Sequence, residues 1–127
     1  MTRTMLAGKI HRATVTDVNV DYEGSITIDP ILLDASGILP YEQVQVLDIT
    51  NGARVETYAI EGEHGSGEVC VNGAAAHLIH ERDLVIILHF VQLQDEEALN
   101  FEPKIVRVDA RNHVASEQIP VQSFADH

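Results

Sequence analysis

The chain has 127 residues, 45% of them hydrophobic and 22% charged, with a formal net charge of −12. These values suit one globular domain able to bury roughly two-thirds of its unfolded surface, and they exclude a disordered segment. Eight Lys and Arg against 20 Asp and Glu argue against a basic nucleic-acid-binding surface and make Lys9, Arg12 and Arg54 scarce cations.

Met1 to Lys9 has no apolar core followed by a cleavage motif, so no signal peptide is expected. Residues 4–16 read as a strand rich in β-branched side chains, and alternation puts Lys9 and His11 on one face. A solvated face is the ordinary reading of that pair. Residues 18–28 form a second strand-like run, interrupted by Gly24-Ser25. Two readings are open there. One is a hairpin turn or bulge, which a glycine inside a strand usually marks. The other is self-cleavage. The Ser25 hydroxyl attacks the Gly24 carbonyl, which no side chain shields, and the amide becomes an ester. Elimination then leaves a dehydroalanine, and hydrolysis gives a pyruvoyl group at the new chain start.

Asp29-Pro30 predicts a helix start, with Asp29 as N-cap, Pro30 in the first turn and Gly37 as the stop. Residues 43–49 and 54–60 read as strands joined at Asn51-Gly52, the strongest hairpin signal in the chain. Residues 62–67 form a flexible turn and 68–71 a short strand. Asn72-Gly73-Ala74-Ala75-Ala76-His77 begins as a turn and becomes a short helix, whose exposed N–H groups favour an anion such as a carboxylate. An ordinary capped helix is the commoner case. Residues 83–93 read as the longest buried strand; its apolar stretch is too short to cross a bilayer. Asp95-Glu96-Glu97 opens a turn of helix, and 104–109 is a final strand. From Arg111 the pattern dissolves, and a poorly ordered tail over 111–127 is expected. Six or so short strands with brief helices and no βαβ rhythm predict a mostly β chain, folded as a compact barrel.

Several chemistries can be weighed on residues alone. His77 and His80 sit three apart, within reach of one ion on a helix, but no third ligand has recognisable spacing. Cys70 lies in an apolar strand and reads as a buried, inert thiol; as the only cysteine it makes no internal disulfide, which fits a reducing compartment and a soluble cytoplasmic protein. There is no Gly-x-Ser-x-Gly elbow, phosphate-cradling loop or dinucleotide fingerprint.

Taken together, Arg3-Thr4-Met5-Leu6, Gly8-Lys9-Ile10-His11-Arg12, Tyr22-Glu23-Gly24-Ser25, Thr50-Asn51-Gly52, Thr57-Tyr58-Ala59-Ile60 and Val71-Asn72-Gly73-Ala74-Ala75-Ala76-His77 closely resemble, in order and spacing, the pyruvoyl-dependent aspartate 1-decarboxylase family of bacteria. The resemblance spans about residues 3 to 109. It implies a six-stranded double-psi β-barrel over residues 1–110, capped by short helices. It also implies a homotetramer with active sites between subunits, and cleavage between Gly24 and Ser25 into chains 1–24 and 25–127. The reaction implied is decarboxylation of L-aspartate to β-alanine for pantothenate synthesis. The pyruvoyl group from Ser25 would form a Schiff base with the substrate amine and accept its electrons, with no pyridoxal phosphate and no metal.

By the same resemblance Tyr58 is the proton donor, a role suited to a phenol, which holds its proton at neutral pH. Thr57 contacts the oxyanion of maturation and then the substrate, and Gly73, Ala74 and Ala75 clamp one carboxylate. Arg54 and Lys9 hold the other carboxylate, and His11 and Asn72 are secondary positioning residues. Two positions depart from the family: Glu81-Arg82 stands where Pro-Gly is common, and His64 where arginine is usual. The competing readings are a catalytically silent, uncleaved barrel acting as a binding or assembly module, and a metal-binding barrel using His77 and His80.

Overall fold

The computed structural model describes residues 1–118 of the chain. In chain order it contains β1 (Thr2–Thr14), β2 (Asp17–Asn19), β3 (Ser25–Ile28), α1 (Pro30–Ser36), β4 (Gln43–Asp48) and β5 (Arg54–Glu61). These are followed by β6 (Val69–Asn72), a 3₁₀ turn over Gly73–His77, β7 (Leu84–Gln94), α2 (Asp95–Ala98), β8 (Lys104–Val108) and β9 (Val114–Gln118). The strands are hydrogen-bonded in the order β2-β6-β3-β5-β4-β7-β1-β8-β9. Only Val15 and Thr16 separate β1 from β2, so those two strands are one bent strand. It pairs with β7 through β1 and with β6 through β2. Counted in this way, six strands (β1/β2, β6, β3, β5, β4 and β7) wrap one core in the barrel-like arrangement the sequence predicts, while the hydrogen-bonded sheet itself is open, with β2 and β9 at its edges.

Alternation along each strand fills the interior. Ile10, Ile26, Ile28, Val44, Val46, Val71, Val85 and Ile87 are all essentially buried and form one core, the largest favourable contribution to the fold. The bend in β1/β2 has a local cause. The register with β7 slips between Ile10 and Ala13, where Arg12 takes a left-handed backbone with φ 64°, the signature of a bulge. Thr16 then ties β1/β2 to β6, since its N–H donates to the Val69 carbonyl at 2.8 Å and its hydroxyl accepts from the Val69 N–H at 3.0 Å.

The helix start at Asp29-Pro30 forms as read. Asp29 Oδ1 accepts from the Ile31 N–H at 2.9 Å, and Gly37 closes α1 at φ 78°. The same buried carboxylate also takes the Gly65 N–H at 3.0 Å and the Gly67 N–H at 2.8 Å, so it organises the 62–67 turn as well. Burial alone would push the Asp29 carboxyl up, but the Ile31, Gly67 and Gly65 donors, with His64 nearby, hold it below its ordinary value. A depressed carboxylate stabilises the fold above the unfolded-state pKa, and that contribution is lost as pH falls and the unfolded chain binds the extra proton. Asp29→Asn turns one acceptor into a donor facing an N–H. It should cost about 1–2 kcal/mol at neutral pH, with the gap to wild type narrowing on acidification. Urea midpoints across that range test this; a gap independent of pH would refute it.

The Asn51-Gly52 hairpin joins β4 to β5 as read, and Asp48 Oδ1 caps the Thr50 and Asn51 N–H groups of its loop. Two expectations are corrected. Residues 111–118 are not a loose tail. Asn112 is buried and donates to the Thr14 and Gly67 carbonyls at 2.8 Å each, and β9 then pairs antiparallel with β8; the rest of the expected tail, 119–127, lies outside the described residues. The helix thought to carry both His77 and His80 ends at His77. His80 instead faces Asp83, with Nδ1 3.6 Å from its carboxylate, and among the described residues no three His, Cys, Asp or Glu gather as a metal would need. The Glu81-Arg82 departure leaves a left-handed turn in place, with Arg82 at φ 76° where glycine would be relaxed.

Candidate active site

Gly24-Ser25 is not a hairpin turn. β6 lies between β2 and β3, parallel to one and antiparallel to the other, so residues 20–24 must cross over the end of β6 to get from β2 to β3. What they cross is Asn72-Gly73. Gly73 has φ 78°, and a Cβ there would stand 2.7 Å from Gly24 Cα and 2.9 Å from Gly24 N. Glycine at 73 is therefore required twice, by its backbone angle and by the segment above it.

The Gly24-Ser25 peptide marks the entry into the barrel wall: Gly24 is exposed and Ser25 is 1% exposed. Ser25 Oγ donates to the Glu23 carbonyl at 3.2 Å, back along the chain towards the 23–24 segment. It accepts from Asn72 Nδ2 at 3.0 Å, and the second Asn72 N–H goes to Thr27 Oγ1 at 2.9 Å. Cross-strand pairing explains this cluster. Ser25 is opposite Asn72 and Thr27 opposite Cys70, and all four side chains stand on the face away from the core residues Ile26 and Val71.

β5 lies parallel to the other side of β3, with Ile26 level with Ala59. One step back on each strand sets Tyr58 beside Ser25 on the outer face, and two steps set Thr57 level with Gly24. Tyr58 opens on a cavity of about 450 Å³ whose walls include Tyr22 and Glu23, just before Gly24, together with Tyr41. Arg54 shares the outer face of β5 with Tyr58 by alternation, but its guanidinium is turned to Gln45 Oε1 at 2.6 Å. Ala74 and Ala75 follow Gly73 in the 3₁₀ turn, exposed and half-buried respectively.

Lys9 and His11 stand elsewhere, on the stretch of β1 paired with β7 and β8, where Lys9 meets Leu88 and Ile105, and His11 meets Arg107. Burial first, then Lys9, Arg107 and Arg12, lowers the His11 pKa, leaving a neutral imidazole at pH 7. Its Nδ1 is buried without a hydrogen-bond partner within the described chain. The chain thus gathers Gly24, Ser25, Thr57, Tyr58, Asn72 and Gly73 and leaves Lys9 and His11 apart. Sequence reasoning missed Thr27 and dismissed Cys70. Alternation gives Ser25/Thr27 one face and Cys70/Asn72 another, but nothing in the order of residues says that those faces meet.

The aspartate decarboxylase family model matches residues 1–115. With this barrel, the match defines the class of the molecule: a small β-barrel decarboxylase. Two relatives are near it in sequence, both called aspartate 1-decarboxylase. That of Corynebacterium efficiens is 54% identical over 98% of this chain and 96% of its own length. That of Thermoanaerobacter pseudethanolicus is 56% identical over 88% of this chain and 96% of its own. The chain belongs to the aspartate decarboxylase family. A solved structure, the computationally designed msDPBB_sym2 protein, aligns with 67% of this chain and 96% of its own at 16% identity and a TM-score of 0.45, too remote to bear on the fold.

Proposed function

We propose that the protein decarboxylates L-aspartate to β-alanine and carbon dioxide, feeding pantothenate synthesis in the cytoplasm, after cutting itself between Gly24 and Ser25. The observation that carries this is the Ser25 hydroxyl, buried, held by Asn72 and tied by its proton to the Glu23 carbonyl, directly before the exposed Gly24. In maturation the Ser25 oxygen adds to the Gly24 carbonyl carbon, the C–N bond breaks and the nitrogen takes up the hydroxyl proton, leaving an ester. Elimination then removes the Ser25 Cα proton and expels the Gly24 carboxylate, leaving a dehydroalanine whose imine tautomer takes up one water, gains its oxygen and releases ammonia, giving a ketone at residue 25. Thr57, level with Gly24, is the donor for the charge that develops on the Gly24 oxygen, an interaction worth several kcal/mol when aimed in advance.

The site fits a pyruvoyl group, because Ser25 already occupies a polar niche made by Asn72 and Thr27, and the residues just before the cut, Tyr22 and Glu23, line a cavity with Tyr58. Once formed, that carbonyl supplies the electron sink that no ordinary side chain offers, with neither pyridoxal phosphate nor metal. Tyr58 faces the same cavity and returns a proton to the substrate α carbon after carbon dioxide leaves. The backbone of Gly73, Ala74 and Ala75 holds one substrate carboxylate. Arg54 and Lys9 hold the other, Arg54 exchanging its Gln45 contact for a charge-assisted one. Lys9 and His11 lie away from Ser25 within one chain, so Lys9 reaches the substrate only from a neighbouring copy, in keeping with the homotetramer with sites shared between subunits that the family resemblance implies.

Intact-mass analysis of the denatured protein tests the reading. Two chains breaking at 24/25, with the larger reacting with a hydrazine, are expected; one uncut chain after prolonged warming would favour the silent module instead. Tyr58→Phe should still be cut yet lose about 100-fold or more in kcat, the usual contribution of a positioned proton donor. Unchanged turnover would remove Tyr58 from that role.

A further inference from the structure

We propose that Cys70 is a positioning residue for self-cleavage: its thiol hydrogen fixes which way round the Asn72 amide sits, and thereby which hydrogen bond Ser25 receives. The inference rests on the self-cleavage reading above. An asparagine amide between two hydroxyls has no preferred orientation, because Ser25 and Thr27 can each donate or accept. A third partner must break the tie. Cys70 Sγ lies 3.3 Å from Asn72 Oδ1, and a thiol is a usable donor but a poor acceptor. With the amide oxygen turned to Cys70, both N–H groups face the hydroxyls of Ser25 and Thr27.

The consequence falls on Ser25. With an N–H donated to its oxygen, its proton goes to the Glu23 carbonyl, which ties the side chain to the segment just before the peptide it attacks. With the amide reversed, the Ser25 proton would be drawn to Asn72 Oδ1, away from that segment. The thiol keeps the hydrogen this requires. Burial, then Asp17 and Glu68, pushes the Cys70 pKa up to about 11, so no thiolate forms at neutral pH. Cross-strand geometry enforces the contact, since Cys70 pairs with Thr27 and Asn72 with Ser25 on one face of β3 and β6.

The test follows cleavage of freshly translated full-length chain by timed intact mass, with thermal melts of each variant as the folding control. Cys70→Ala should slow cutting about five-fold, the rate equivalent of losing one hydrogen bond of ~1 kcal/mol, and Cys70→Ser should restore most of the rate. Cys70→Thr and Cys70→Val form a second pair of one shape, differing only in the hydroxyl. If Cys70→Ala melts too low to compare, the Thr variant should still outpace the Val variant. Equal rates for donor and non-donor variants within the folded pair would overturn the proposal. A wild-type chain that never cuts would instead sink the self-cleavage reading, so the two failures are distinct.

Discussion

Ser25→Ala should yield a folded protein in one uncut 127-residue chain, with no hydrazine-reactive ketone and no decarboxylase activity. The side chain is small and the hydroxyl makes two neutral hydrogen bonds, one from Asn72 and one to Glu23. Asn72 keeps its bond to Thr27 when Ser25 changes. The stability cost is therefore about 1–2 kcal/mol, while the chemistry loses its attacking atom altogether. That contrast separates a reactive group from a structural one, because a structural serine would lose stability and leave cleavage alone. Circular dichroism melts and intact mass on the same sample read both effects. A cut between 24 and 25 in Ser25→Ala would show that another nucleophile opens the peptide, and would remove Ser25 as the source of the carbonyl.

How much of this was legible in the order of residues depended on the range of the interaction concerned. Asp29-Pro30 and Gly37 announced α1 because capping is settled within a few residues. Asn51-Gly52 announced the β4–β5 hairpin for the same reason, and Asp48 holds that loop by taking two of its N–H groups. Gly24-Ser25 was ambiguous because the deciding fact is non-local: β6, more than forty residues on, inserts between β2 and β3. Only then does the 20–24 segment become a crossing rather than a turn. The strand β9 was missed because residues 111–118 carry no hydrophobic alternation of their own, and β8 supplies the pairing. His77 and His80 were joined on a helix that the chain does not continue, since the 3₁₀ turn ends at His77. The placing of Thr57 and Tyr58 beside Ser25 came from the family resemblance, and the register of β3 against β5 gives it a physical basis.

Gly73→Ala should damage the protein more than any other single added methyl group near the site. Two costs combine. The backbone at 73 is left-handed, at φ 78°, which penalises any side chain by about 1–2 kcal/mol. The new methyl would also stand 2.7 Å from Gly24 Cα, 2.9 Å from Gly24 N and 3.3 Å from the Tyr22 carbonyl oxygen. All three are backbone atoms, so no rotamer relieves the contact, and the crossing segment itself must lift. Gly52→Ala separates the two costs, because Gly52 has nearly the same φ, 80°, with nothing within 4 Å of its added Cβ. Gly52→Ala should lose about 1 kcal/mol, and Gly73→Ala about 2 kcal/mol more, in the range of an overpacked site. Because lifting residues 22–24 draws the Gly24 carbonyl away from Ser25 Oγ, Gly73→Ala should also cut itself at least about ten-fold more slowly, the effect expected of ~1.4 kcal/mol lost from positioning. Gly52→Ala should cut at the wild-type rate. If both variants lost the same stability and both cut normally, Gly73 would be answering only to its own backbone angle, and the crossing over β6 would have no part in setting the peptide for attack.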